Sequence, residues 1–170
     1  MKTIKEEAVF NSAASNLWEI LSDVTRCDWI DTVENIEMDG DCRVFEMTGM
    51  GKIKERIIKL DNKSMELQYS AVETMAPINH HLATIKISEV TDNKCLLDWT
   101  TEIDPEIFAD AIHQGMLISI SGLRKVLDES YLSSKPIYFT KSLLSALTER
   151  TWFAGKSSSG KPIAIQIIIF

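Results

Sequence analysis

The sequence contains no apolar run approaching the roughly 18 residues that a membrane-spanning helix requires, so no span is expected. Positive charge is also scarce, with 18 Lys and Arg against 25 Asp and Glu and a net charge of −7. Nucleic-acid binding runs on clustered cations, and Lys52, Lys54 and Arg56 are too few to make a patch. The three cysteines, Cys27, Cys42 and Cys95, stand far apart without CxxC or Cys/His spacing. They read as small core residues in a reducing compartment, and no metal site is expected. No Ser/His/Asp or Cys/His ordering stands out, and Gly49-Met50-Gly51 is a two-glycine turn rather than a phosphate loop. No cofactor is expected. The first seven residues carry Glu6 and Glu7 and lack an apolar h-region, so no signal peptide is read and a cytoplasmic location is expected.

What is present is a composition of 45% hydrophobic and 25% charged residues over 170 positions, which suits one soluble domain with a real core. Ile4–Phe10 reads as a strand that stops at Asn11-Ser12, both good helix N-caps. Leu17, Trp18, Ile20, Leu21 and Val24 then recur at helical spacing, and a second short helical turn covers Thr25–Trp29. Beyond Trp29 the period falls towards two. Strands are expected at Val33–Met38, Cys42–Met47, Lys52–Leu60, Met65–Ala71, His80–Val90 and Cys95–Ile103, joined by turns such as Asp39-Gly40-Asp41 and Asp61-Asn62-Lys63-Ser64. Asp104-Pro105 opens the longest helix, with Pro at its first position. Ile107, Phe108, Ala111, Ile112, Met116, Leu117, Ile120, Leu123, Val126 and Leu127 run nearly all round it, so much of its surface should be covered. A sheet curled around that helix would do so.

Two segments are expected: a domain over 1–132 and an atypical extension over 133–170. Up to Lys135 the charge balance is −10, and from Pro136 onward it is +3. Ser157-Ser158-Ser159-Gly160 reads as a link, and Ile163–Phe170 is an uncharged β-prone run that would be an aggregation hazard if exposed. An added edge strand, a docking segment and a non-native C-terminus are the readings open for it, and no function is assigned.

The order of elements, with Leu17-Trp18-Glu19-Ile20-Leu21-Ser22-Asp23, Trp29, Gly40, Arg43, Gly51-Lys52-Ile53-Lys54-Glu55-Arg56, Asp61, Ala76-Pro77-Ile78, Trp99 to Pro105 and Gly122-Leu123, resembles the START-like (SRPBCC) superfamily. Within it, residues 3–130 look like the polyketide cyclase/dehydratase-like group, which also contains the plant abscisic-acid receptors. The resemblance implies a helix-grip fold of α+β class: a curved antiparallel sheet wrapped around a long C-terminal helix, with two short helices after the first strand. It implies a cavity between sheet and helix and a cavity-facing carboxylate at Glu55. The turn Thr48–Gly51 and the connection Met75–His80 resemble the receptors' gate and latch loops, and Ile30 stands where those receptors carry a lysine.

Successive strand residues face opposite ways, so alternation sorts the cavity wall. Phe45 and Met47, Ile53 and Glu55, Tyr69, and His81 with Ala83 are placed inward. Strand 95–103 is ambiguous: Leu97 and Trp99 form the apolar set, whereas the resemblance favours the face of Leu96 and Asp98. Ile78, Phe108, Ile112 and Met116 complete the expected ligand-contacting set, the last three at i, i+4 and i+8 on the long helix. Glu55, Tyr69 and His81 among apolar neighbours have the composition of a ligand pocket and are the candidate acid–base groups. In a cyclase-type reaction His81 or Glu55 would take a proton α to a carbonyl and Tyr69 would donate to the enolate oxygen. The alternative is structural: Glu55 paired with a lysine or arginine, Tyr69 and His81 bonded to each other or to water, and His113 solvated or capping. The leading expectation is binding of a small apolar molecule, polyketide-, lipid- or isoprenoid-like. A cyclase/dehydratase-type enzyme and a protein-interaction or co-chaperone module stand as alternatives, and a homodimer or protein partner is left open.

Overall fold

The computed structural model describes residues 1–134, which form one compact unit; the extension expected at 133–170 lies, from 135 onward, outside the described residues. The element order is β1 (Lys2–Phe10), α1 (Ala14–Ser22), β2 (Ile36–Asp39), β3 (Cys42–Met47), β4 (Gly51–Asp61), β5 (Glu66–Glu73), β6 (His80–Thr91), β7 (Lys94–Asp104), a 3-10 turn (Glu106–Phe108) and α2 (Ala109–Ser134). One seven-stranded sheet runs in the order β1-β7-β6-β5-β4-β3-β2, and every neighbouring pair is antiparallel. Register shifts in β4 between Lys54 and Glu55 and between Ile57 and Lys59 bend the sheet where β3–β5 meet. The long α2 follows the last strand, and the architecture is the helix-grip fold.

Several local expectations change. Only one helix follows β1; residues 24–31 make turns, because Asp23 takes the Thr25 backbone N–H and hydroxyl and Arg26 pairs with Asp28. The N-cap of α1 is Ala13 rather than Asn11 or Ser12, and the Ser12 hydroxyl accepts from the Asn16 side chain instead. Pro105 precedes the 3-10 turn, so α2 begins four residues later than its sequence signal. On α2 Met116, Ile120, Leu123, Val126 and Leu127 are buried, whereas Leu117 and Ile118 are exposed, as is Ile107 in the preceding 3-10 turn. One stripe meets the sheet, and the opposite side faces outward.

That stripe is anchored at three levels. His113 meets Glu6 of β1, Arg124 donates to the Val9 carbonyl at 2.8 Å while lying over the Phe10 ring, and Gly122 abuts the backbone of Trp29. A Cβ at Gly122 would stand 2.0 Å from the Trp29 carbonyl oxygen, so only glycine permits this approach. His113 is therefore an anchor rather than a solvated or capping residue. The main core beneath α2 joins Phe10, Leu17, Leu21, Leu67, Ile85, Leu97 and Leu123. A second apolar cluster, Val33, Ile36, Phe45 and Ile53, lies at the β2–β4 end.

Gly122→Ala is expected to destabilise the protein by about 1–3 kcal/mol through overpacking, despite the better helix propensity of Ala. Gly115→Ala in the same helix has no atom within 4 Å of the new Cβ and should be neutral or stabilising. Urea unfolding of the two variants beside the wild type measures the difference.

Candidate functional site

Strand pairing aligns the inward side chains into rows that cross the concave face. In the first row Arg43 lies opposite Glu55, Glu55 opposite Ala71, and His81 opposite Ile103. In the second, Ile57 lies opposite Tyr69, Tyr69 opposite Ala83, Ala83 opposite Thr101, and Thr101 opposite Ile4. In the third, Leu67 lies opposite Ile85, Ile85 opposite Trp99, and Trp99 opposite Glu6. Most polar groups expected in the pocket thus fall in adjacent rows, at the middle of the sheet.

The register also settles β7. Cys95, Leu97, Trp99, Thr101 and Ile103 are all buried, and Asp98 points to the other face, where its carboxylate meets Lys5 at 2.9 Å. Asp98 is therefore not a cavity residue. Of the remaining expected contacts, Phe45 and Ile53 are buried in the second cluster with Met47 packed against it. Tyr69, Ala83, Trp99 and Met116 belong to the main core, with Ile112 packed against it. Ile78 and Phe108 are half-buried, in the β5–β6 connection and the 3-10 turn respectively.

Arg43 is the residue that strand alternation implied and charge concealed. Its Nε and Nη2 both donate to Glu55 Oε2 at 2.7 Å, and the guanidinium lies 4.6 Å from the Tyr69 ring centroid and 5.9 Å from that of Phe45. Burial opposes the arginine charge, but Glu55 more than restores it, and the Arg43 pKa is raised. Such a pair, desolvated yet short and stacked on an aromatic, holds the two charged groups as one neutral unit. Glu55 is thus engaged by an arginine, one of the two structural partners anticipated for it. Burial, then the Glu55 charge, pushes the Tyr69 phenol well above the ordinary tyrosine range, so it stays protonated.

His81 does something different. Its Nδ1 accepts the Ala71 backbone N–H at 3.1 Å, and the Ser70 hydroxyl donates to its carbonyl at 2.5 Å. Side chains thereby complete the β5–β6 ladder beyond the Tyr69–Ala83 pair. With Nδ1 an acceptor, the ring is neutral and carries its proton on Nε2. Burial, the largest influence, lowers its pKa below the usual histidine value. Tyr69 and His81 do not bond each other: their rings tilt at 41° with centroids 5.9 Å apart. Asn79 and His80, next in the chain, turn outward to Asp104 and Glu102.

An open depression of about 660 Å³ lies at the β2–β4 end, lined by Thr32, Asn35, Phe45, Met47, Thr48 and Lys52 among others. It shares only Phe45 and Met47 with the expected cavity wall and is distinct from the polar rows.

No protein-family profile matches the chain, and no curated protein matches it. Solved structures do. XoxI of Bacillus cereus superposes with a TM-score of 0.68 at 18% identity, over 74% of this chain and 95% of that one. Norcoclaurine synthase from Thalictrum flavum, in complex with dopamine and hydroxybenzaldehyde, gives 0.60 at 19% identity, over 79% and 88%. The di-domain ARO/CYC BexL from the BE-7585A biosynthetic pathway gives 0.66 at 11%, over 75% of this chain and 47% of that one. This chain shares their helix-grip fold. Among its described residues no helix is long and apolar enough to cross a membrane.

Two outcomes test the electrostatics of this sheet. Glu55→Gln should cost about 3–5 kcal/mol by stranding a buried guanidinium, and Arg43→Met with Glu55→Met should recover most of it; a double-mutant cycle in urea measures both. Below about pH 6.5 an unfolded histidine takes up a proton that folded His81 resists, so His81 contributes stability above that pH. This contribution declines as pH falls from there through the lowered folded value. The urea midpoint should therefore drop between pH 7.5 and 5.5, and drop less in His81→Gln.

Proposed function

We propose that the protein binds a small, largely apolar molecule against the concave face, between β5–β7 and the N-terminal half of α2. The observation that carries this reading is a neutral, buried His81 beside a protonated Tyr69, in rows where Arg43 and Glu55 pair with each other, Glu6 pairs with His113, and the remaining side chains are apolar or small. His81 Nε2 has no protein partner among the described residues. A donor of this kind, with apolar walls, is the composition of a ligand pocket. Ile112 is half-buried against the main core, one helical turn before the buried Met116, and would form the opposite wall.

The fold is shared with norcoclaurine synthase and with an ARO/CYC protein, and fold alone does not transfer a reaction. A cyclase-type enzyme would draw on His81, Tyr69 and the Glu55 Oε1 atom, since both Arg43 bonds go to Oε2. The exposed Leu117 and Ile118 on the outer side of α2, with Ile107 in the preceding 3-10 turn, favour a second reading, a protein-interaction module.

The test is native mass spectrometry of the full chain purified from its own host. A small apolar adduct, lost in Ile112→Trp while the variant stays folded by circular dichroism, is the expected result. A chain that carries no adduct and binds no apolar fluorescent probe would overturn the ligand reading and leave the interaction module.

A further inference from the structure

The main core contains two sealed polar atoms without a protein partner, and both are donors: Nε1 of Trp29 and Nε1 of Trp99. The contrast with Trp18 is informative. Its indole N–H donates to the Asn62 side-chain oxygen at 2.9 Å, as a structural buried indole does. Trp99 projects from β7 on the concave face, in the row next to Thr101 and Tyr69. Thr101 is covered by α2 and directs its hydroxyl to the Met116 sulfur at 3.7 Å. An indole N–H buried without an acceptor costs the desolvation of that group, so an acceptor supplied from outside the chain recovers free energy there.

The charges on this face restrict what that acceptor can belong to. The two carboxylates in the three central rows are already engaged, Glu55 by Arg43 and Glu6 by His113. An ammonium entering these rows would find no unpaired counter-charge and would face the donors of Trp99 and His81. A carbonyl oxygen would meet donors.

Building on the ligand reading above, we propose that Trp99 is a specificity-determining donor, and that the ligand is a neutral apolar carbonyl compound whose oxygen accepts the Trp99 indole N–H. Trp99→Phe keeps an aromatic ring and removes the donor. The experiment compares 9-fluorenone with fluorene, two rigid tricycles of nearly the same shape that differ by C=O against CH2, binding to the full chain and to Trp99→Phe. Fluorenone should bind the wild type about fivefold or more tighter than fluorene, the net effect of one hydrogen bond to a buried group. In Trp99→Phe the ratio of the two affinities should fall to about one, whatever the change in each. Equal binding of both probes to the wild type, or a preference that survives in Trp99→Phe, overturns this inference and leaves the ligand reading standing; a tightly held water on the indole would give that result. Failure of both probes to bind overturns the two together. If Trp99→Phe does not fold, the indole 15N–1H resonance of Trp99 in the wild type decides. It should move downfield with fluorenone and not with fluorene, and an equal response to both overturns the assignment.

Discussion

The bond between Arg43 and Glu55 is the point at which the interior of this domain changes character. On one side along β4 stands Ile53, in the small cluster with Phe45; on the other stands Ile57, against the main core. Two full charges at that junction cannot be left singly in an apolar medium, so both arginine nitrogens converge on one carboxylate oxygen and the guanidinium lies over Tyr69. Neighbouring groups follow from this pairing. Tyr69 stays protonated beside the carboxylate, and His81 is kept neutral by burial.

Helix α2 supplies the other half of the architecture by a different kind of force. Its contacts depend on shape: a bare Cα at Gly122 against the Trp29 carbonyl in the turn segment after α1, and a stripe from Met116 to Leu127 against β1 and β7. The polar links, His113 to Glu6 and Arg124 to the Val9 carbonyl, lie at the margin of that stripe and fix the helix against the edge strand. Apolar contact determines how closely the helix approaches, and the marginal bonds determine where along β1 it sits.

Much of the fold was legible because strand period and turn chemistry are local. Cys42–Met47 was read with the bounds observed, and β4–β7 each within two residues at either end. The inward set of β5 and β6 followed from clean alternation. In β7 it did not, because Leu96 and Leu97 are both apolar and only pairing with Lys5 shows that Asp98 belongs outside. Arg43 shares the parity of Phe45, yet a charged residue at an inward position is readable only once its partner is known to lie across the strand. The apolar residues of the long helix suggested cover over much of its surface without saying which part stays open, and Leu117 and Ile118 prove exposed; composition carries no record of which neighbours exist. The partnerless indole of Trp99 had no local signal at all, since an unmet donor is a property of the surroundings.

The ring of His81 also acts as a piece of main chain. Where β5 and β6 would next exchange backbone bonds, the imidazole accepts the Ala71 amide instead, so the seam between these two central strands is closed by a side chain that can rotate. A backbone ladder opens only by moving strands; this one can open by a single χ rotation or by one protonation. The Ala71 amide proton is consequently a local clock, its exchange with solvent timing the motions of one imidazole ring in the middle of the sheet.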